Sequence, residues 1–577
     1  MQLLVGPHCL GRGVLLAFVL LLKATEAVAQ TGPSSLRLLP RTLLDAVTLP
    51  IHTLQARSPA DNTTVGAGLS AVTLSADRES YYTLIKAGPF NFRVALDTGS
   101  ADLWLFSTGC ETQTCKQSPR YPLEFESPTF ISVASNATNF TASYADGTVA
   151  SGFVAAETIQ LTNLTLSNQT FAAVTSSNVS LPDEISGIMG LGFPRLSSIS
   201  SPTLNSTPFF PTLARQGLLE YPLFTFYLDN NNSGSLTLGA VDSSIVTNTS
   251  LIGWNKVAQF QPFAAESNTS TYLQWAVPIT GFSINGTQFA PIPTYPRIDR
   301  TSLALFDIGA PGVYGPFQDV SRIYETIDGA RLVDPSGQWA LPCDTTVPMA
   351  FTFGQQNYTM LPTDYIIAQV AGTPNMCLSW PMSLPPSSDG IDWQMGTAFL
   401  RTVYSIFSFG INKKEPPLIG LYSLQNNTNI TQTPADILSF ISSASATVAT
   451  TLPNFLLPSP TFTTPPYAFN TSVSASVGGI VTTGLANTTY SAIFGQKASL
   501  TNVSALPAIT PPPLVVTLVV TNSLGATTTT TVSRPMMSVT LGLPSASAGS
   551  AGATAPLTTL SLSCVLVTYV LIFVWRW

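Results

Sequence analysis

Val94-Ala95-Leu96-Asp97-Thr98-Gly99-Ser100 is an apolar run that delivers an acid into a glycine turn. Ala304-Leu305-Phe306-Asp307-Ile308-Gly309-Ala310 repeats the pattern in the second half of the chain. A lone buried charge is costly, so a strand that carries one into a tight turn has a use for it. Two such strands can bring two carboxyls together, and acids that share one proton can activate a water molecule. The copies differ immediately after the acid, where Thr98 in the first is matched by Ile308 in the second.

Outward from these segments, residues 75–425 read as short strands. Tyr81-Tyr82-Thr83-Leu84-Ile85, Phe92-Arg93-Val94-Ala95-Leu96, Leu223-Phe224-Thr225-Phe226-Tyr227-Leu228 and Tyr404-Ser405-Ile406-Phe407-Ser408-Phe409 are rich in aromatic and β-branched residues. Gly, Asn and Pro punctuate them. No long helical period appears. The expectation is an all-β body with a few short helices, such as one over 318–327.

Composition narrows the chemistry. The chain has 577 residues, a net charge of −7 and only 9% charged residues, against a usual quarter. It shows no basic cluster, which argues against nucleic acid as a partner. Only two histidines occur, His8 and His52, and both precede the β-rich body. Ser-His-Asp and Cys-His catalysis are therefore excluded, as are His-based zinc sites. A hydrolase built on this chain has to work with carboxylates. No metal or other cofactor is expected.

The first 29 residues read as a secretory signal. Arg12 precedes the apolar run 13–22, and Ala27-Val28-Ala29 offers small residues for cleavage. The run is about half the length a spanning helix needs. N-x-Ser/Thr sequons at Asn62, Asn136, Asn139, Asn163, Asn168, Asn178, Asn205, Asn248, Asn268, Asn285, Asn357 and Asn470 point to a glycosylated, extracellular surface. Cys110, Cys115, Cys343 and Cys377 lie between Cys9 in the signal and Cys564 in the tail. Two local bridges are the simple pairing in an oxidising compartment, and three connectivities are open.

Residues 30–57 carry Arg37, Arg41 and Arg57 against Asp45. They read either as a pro-segment held by charge on the acidic body or as a disordered leader. Residues 426–556 are rich in Ser, Thr, Pro and Ala, with five consecutive threonines at 527–531. Such a segment has little large apolar surface, and it is expected to form a stalk. The apolar tail, 557–577, follows a run of small residues from which an attachment site can be drawn, anywhere in 547–550. That order fits a GPI-attachment signal, with a single transmembrane helix as the alternative.

The motifs resemble those of the pepsin-like aspartic protease family, in particular its fungal, surface-anchored members. Asp97-Thr98-Gly99-Ser100-Ala101-Asp102-Leu103-Trp104 fits the family's D-T-G-S-x-x-L-W. Tyr144-Ala145-Asp146-Gly147-Thr148 is similar to the flap, the hairpin that closes over substrate. Ile188-Met189-Gly190 matches the strand that supports the first acid's loop. Trp393-Gln394-Met395-Gly396-Thr397 resembles its equivalent in the second lobe, with Gln394 replacing an apolar residue.

The resemblance implies a bilobal all-β fold, with an N-terminal lobe over 75–250 and a C-terminal lobe over 251–425. It implies a catalytic pair, Asp97 and Asp307, in the cleft between the lobes. One acid would take a proton from water and the other would donate to the scissile carbonyl of a protein or peptide substrate. Gly99 and Gly309 would let backbone N–H groups approach the acids. Tyr144, hydrogen-bonded to Trp104, would overhang them with Asp146 and Gly147. Cys110–Cys115 and Cys343–Cys377 sit where the family places two disulfides. The expected protein is a monomer that works in acid at the cell surface, on a membrane or wall GPI anchor.

The second motif departs from the family. Ile308 has no hydroxyl to bond across the lobe junction, and Ala310 and Pro311 replace residues of which one bonds the acid. The losses predict a slower or retuned site. The alternative is a catalytically impaired surface protein that binds peptide or glycan in the cleft.

Overall fold

The structure is a computed structural model of the chain. It describes residues 65–125, 127–199, 208–229, 232–260, 271–296, 301–425, 431–444, 447–458, 462–467, 483–494, 506–511, 515–521, 527–533 and 539–543. The signal at 1–29, the pro-segment at 30–57 and the tail at 557–577 lie outside the described residues.

The strands form where period-2 patterning places them. In Tyr81–Ala87, residues 81, 83, 85 and 87 are buried and those between them are not. This is the mark of a strand with one face on a core. Tyr81–Ala87 pairs antiparallel with Phe90–Asp97, which ends in the first acid. The helices are short. The one expected over 318–327 runs Phe317–Tyr324.

The expected all-β, bilobal body is present. A 14-stranded sheet carries the first acid and an 8-stranded sheet the second. Six successive strands of the larger sheet belong to both halves of the sequence: Gly253–Lys256, Leu418–Ser423, Val403–Ser408, Leu223–Leu228, Ser233–Leu238 and Gly68–Leu74. Their midline is the pair Phe224 and Phe407, opposite each other in the register and stacked at 4.9 Å. Trp275, fully buried, donates its indole N–H to the Leu191 carbonyl at 3.0 Å. One continuous core runs from Val72 to Leu506 through both halves, so the two acid loops are presented by a common apolar mass.

Pieces of the region expected to form a stalk lie against this body. The helix Pro434–Ala444 buries Ile437 and Ile441. Thr447–Val448 adds a parallel strand to Ile366–Val370. Residues 484–486 donate backbone N–H groups to the carbonyls of Asn412, Phe409 and Gly410, while Tyr490, Ile493 and Phe494 are buried. Ala508–Ile509 pairs with Val241–Asp242. The low average apolarity of the region hides these few large residues, each spaced to reach a hydrophobic surface that the body supplies. Among the described residues no helix is long and apolar enough to cross a membrane.

Candidate active site

Each acid ends a strand that is held on both sides. Phe90–Asp97 runs parallel to Ile185–Gly190, with Asp97 opposite Gly190. Leu191 N–H donates to the Asp97 carbonyl at 2.7 Å. A side chain at Gly190 would sit 2.4 Å from the backbone of Ala101, so only glycine lets this strand come under the loop. The second half repeats the device. Leu303–Phe306 runs parallel to Ile391–Met395, Asp307 N–H donates to the Met395 carbonyl at 3.1 Å, and Gly396 lies under the Ala310 backbone.

The two acids meet. Gly99 N–H donates to Asp97 Oδ1 at 2.8 Å, and Gly309 N–H donates to Asp307 Oδ1 at 2.9 Å. Each glycine also faces the opposite acid. A methyl at Gly309 would fall 2.6 Å from Asp97 Oδ1, and one at Gly99 would fall 2.9 Å from Asp307 Oδ2. Both acids are nearly buried. Burial pushes the Asp307 carboxyl well above the usual carboxylate range, the charge of Asp97 pushes it further, and the N–H groups of Gly309 and Gln394 hold it back. Two carboxyls this close cannot both ionise easily, so the pair retains one proton in mild acid.

The junction between the loops is tied from one side only. Thr98 Oγ1 donates to the Phe306 carbonyl at 2.9 Å and accepts from Ile308 N–H at 3.0 Å. Ile308 is fully buried and packs into the common core. The hydroxyl that its position lacks has become apolar contact.

Tyr144 begins the turn of a hairpin formed by Asn139–Ser143 and Val149–Leu161. Trp104 donates its indole N–H to the Tyr144 hydroxyl at 2.7 Å. Burial, then the charge of Asp97, pushes the phenol up, so it stays protonated. Gly147 has φ of +83°. Asp146 Oδ1 accepts from the Thr148 N–H and hydroxyl at 2.8 and 2.7 Å. Asp146 and Gly147 are exposed at the hairpin tip, where Asp146 closes its own turn.

Asp97, Asp307, Gly99, Gly309 and Tyr144 thus form one constellation. The bridges Cys110–Cys115 and Cys343–Cys377 are both present. Among the described residues no cluster of three or more His, Cys, Asp or Glu could hold a metal ion.

Three features of the site needed the structure. Gln394 donates its Nε2 to Asp307 Oδ2 at 2.8 Å; its polarity in an apolar motif was the visible signal. Tyr314 lies opposite Gln394 in the register, and burial raises its phenol, with smaller pushes from Glu79 and Asp307. Asp102, buried, accepts from the Ser197 hydroxyl and from Ser198 and Ile199 N–H groups, which ties the 194–199 segment to the first acid loop.

The sequence comparisons agree with this geometry. The family described as "Eukaryotic aspartyl protease" matches residues 80–415. The chain is similar to an "Aspartic protease" of Phaffia rhodozyma, 30% identical over 350 residues that cover 59% of this chain and 77% of the relative. It is similar to "Major aspartyl peptidase 1" of Cryptococcus neoformans var. grubii, 28% identical over 59% of this chain and 67% of the relative. "Cathepsin E" of Mus musculus is 27% identical over 58% of this chain and 78% of its own length.

Proposed function

Because this chain belongs to the eukaryotic aspartyl protease family and is an aspartic endopeptidase of the pepsin type, we propose that it hydrolyses protein substrates in acid with Asp97 and Asp307 as the catalytic pair. The observation that carries this reading is the pair itself: two nearly buried carboxyls, each held by a glycine N–H and facing the other's glycine.

The retained proton sits on Asp307, whose carboxyl burial and Asp97 both raise. Asp97 is then the base that takes a proton from water, and Asp307 donates to the scissile carbonyl oxygen. The water adds to the carbonyl carbon, and the tetrahedral diol collapses as Asp97 gives its proton to the leaving amine and a diol hydroxyl returns one to Asp307. No covalent intermediate forms. Tyr144 closes over the substrate from the hairpin, with Trp104 setting its hydroxyl.

The setting we propose is the cell surface. The signal, the basic segment at 30–57 as a pro-segment, the sequons and the tail as a GPI signal all support it. Eight sequon asparagines among the described residues, 136, 139, 163, 168, 178, 248, 285 and 357, are exposed, as glycan attachment requires; a ninth, Asn487, is half-buried. The enzyme acts as a monomer on protein or peptide, without a cofactor.

Cleavage of a denatured protein at about pH 3–5, blocked by a statine-type peptide and abolished in Asp97→Asn, is the expected result. A folded, processed protein with no such activity and no inhibitor binding overturns the proposal. Ile308 and Ala310 favour a second reading, a cleft that binds peptide or glycan without cutting it. Peptide binding that survives Asp97→Asn with no cleavage at any acid pH would establish that reading instead.

A further inference from the structure

We propose that Gln394 is a positioning residue for Asp307, its side-chain amide doing the work of the hydroxyls that Ile308 and Ala310 lack; this rests on the catalytic pair proposed above.

The internal repeat supplies the comparison. The strand under the first acid carries Ile188-Met189-Gly190, and the strand under the second carries Gln394-Met395-Gly396. The two strands bear the same relation to their acid loops. In the first half the loop holds hydroxyls at Thr98 and Ser100, and the strand offers only the apolar Ile188. In the second half the loop holds Ile308 and Ala310, and the strand offers an amide. The donor has moved from the loop to the strand beneath it.

Geometry fixes the donor in place. Trp393 and Met395 are buried on one face of Ile391–Met395, so Gln394 projects from the other. The strand is held on both edges, by Leu305 opposite Gln394 in the parallel pair and by Tyr314 opposite it in the antiparallel pair. From there Nε2 reaches Asp307 Oδ2 at 2.8 Å. Gly309 N–H already serves Oδ1 at 2.9 Å. Thr98 Oγ1 lies 3.5 Å from Oδ1 and directs its proton to the Phe306 carbonyl, which is closer. Gln394 is therefore the donor to the second oxygen of the acid.

The other titratable groups around Asp307 are Asp97 from the first acid loop and Tyr314 from Val313–Pro316; Glu79 acts on Tyr314, and Asp97 acts on Tyr144 of the flap. Asp97 pushes Asp307 towards its protonated form, as burial does. The Gln394 amide opposes both, because an N–H donated to Oδ2 stabilises the ionised acid. It orients the carboxyl and limits how tightly the shared proton is held.

The test is Gln394→Leu, read by the pH dependence of kcat/KM. Loss of the amide raises the proton affinity of Asp307. The alkaline limb, where the shared proton is lost, then moves up by about one pH unit, and kcat falls about ten-fold with KM little changed. The acid limb, which reports the other carboxyl, stays in place. Adding Ala310→Thr to Gln394→Leu restores a hydroxyl near the acid and returns both quantities towards the parent enzyme. If Gln394→Leu does not fold, Gln394→Met, close to glutamine in length and without a donor, carries the same test. A folded Gln394→Leu enzyme with an unmoved alkaline limb and unchanged kcat overturns the assignment, as does a shift that Ala310→Thr leaves untouched. Titration of the Asp carboxyl carbons by NMR in both proteins separates this proposal from the one it rests on. A parent protein that hydrolyses nothing overturns the protease reading, while an upward move of the pair's last titration step in Gln394→Leu still supports the role of Gln394.

Discussion

Thr98 serves two backbone groups of the opposite lobe with one hydroxyl, donating to the Phe306 carbonyl and accepting from the Ile308 N–H. The side chain is fully buried, so water cannot replace it. Thr98→Val keeps the shape and strands both groups, each at a cost of about 1–3 kcal/mol. We expect a lower denaturant midpoint and a larger proportional loss of kcat, since the same bond sets the distance between the acid loops. In a family pair with hydroxyls on both sides the loss would be shared. Here Ile308 has no hydroxyl to return, so both of these hydrogen bonds across the junction run through the Thr98 side chain. Thr98 was legible in the sequence as part of its motif. The replacement for the missing partner was not, because Gln394 lies far from Asp307 in the chain and the two meet only through strand register.

At the scale of the element, the flap and the strands under the acids show what local pattern can specify. Tyr144-Ala145-Asp146-Gly147-Thr148 encodes its own turn, since Gly147 takes a positive φ and Asp146 closes the loop on Thr148. The partner that orients the turn is Trp104, from the strand Leu103–Phe106 outside the hairpin. Tyr144→Phe removes the acceptor and leaves the buried Trp104 N–H without one, at about 1–3 kcal/mol. The expected outcome is a looser hairpin, seen as faster amide exchange over 139–149, and a fall in kcat/KM. Unchanged exchange would mean that the hairpin is held by its backbone pairing alone. Asp146 was read from sequence as a site residue. Its carboxylate is turned inward to the hairpin tip, a use that the Asp-Gly pair also predicts.

At the scale of the whole molecule, the body is built around acid. Asp102, Asp319 and Asp364 are each pushed up to about 6, in every case chiefly by burial. A carboxyl held above its unfolded value binds its proton more tightly in the folded protein. Its contribution is fully present below about pH 4 and is lost as the pH rises through about 6, on the order of 1–3 kcal/mol for each group. The melting temperature should therefore be highest in acid and fall across that window; a midpoint that rises from pH 4 to 7 would contradict this. The C-terminal region adds a second global test. Phe494 is buried edge-on to Trp254 at 4.4 Å, and its N–H is accepted by Glu415 Oε1 at 2.7 Å. Phe494→Ala should cost about 3–5 kcal/mol in the unfolding of the body. A segment hanging free of the body would register no change.

The sequence by itself determined the all-β character, the duplicated acid motif and the identity of the chemistry, because strands, glycine turns and the scarcity of histidine are properties of neighbouring residues and of composition. The tertiary structure decided how well the second acid is held and where the C-terminal residues go. Those outcomes depend on contacts between residues far apart in the chain: Gln394 reaches Asp307 through the parallel register of two strands, and Phe494 finds a hydrophobic surface that exists only once both halves have folded together. Local pattern specifies which residues can form a strand or a turn, whereas a hydrogen bond between distant side chains exists only when packing brings donor and acceptor to the same point.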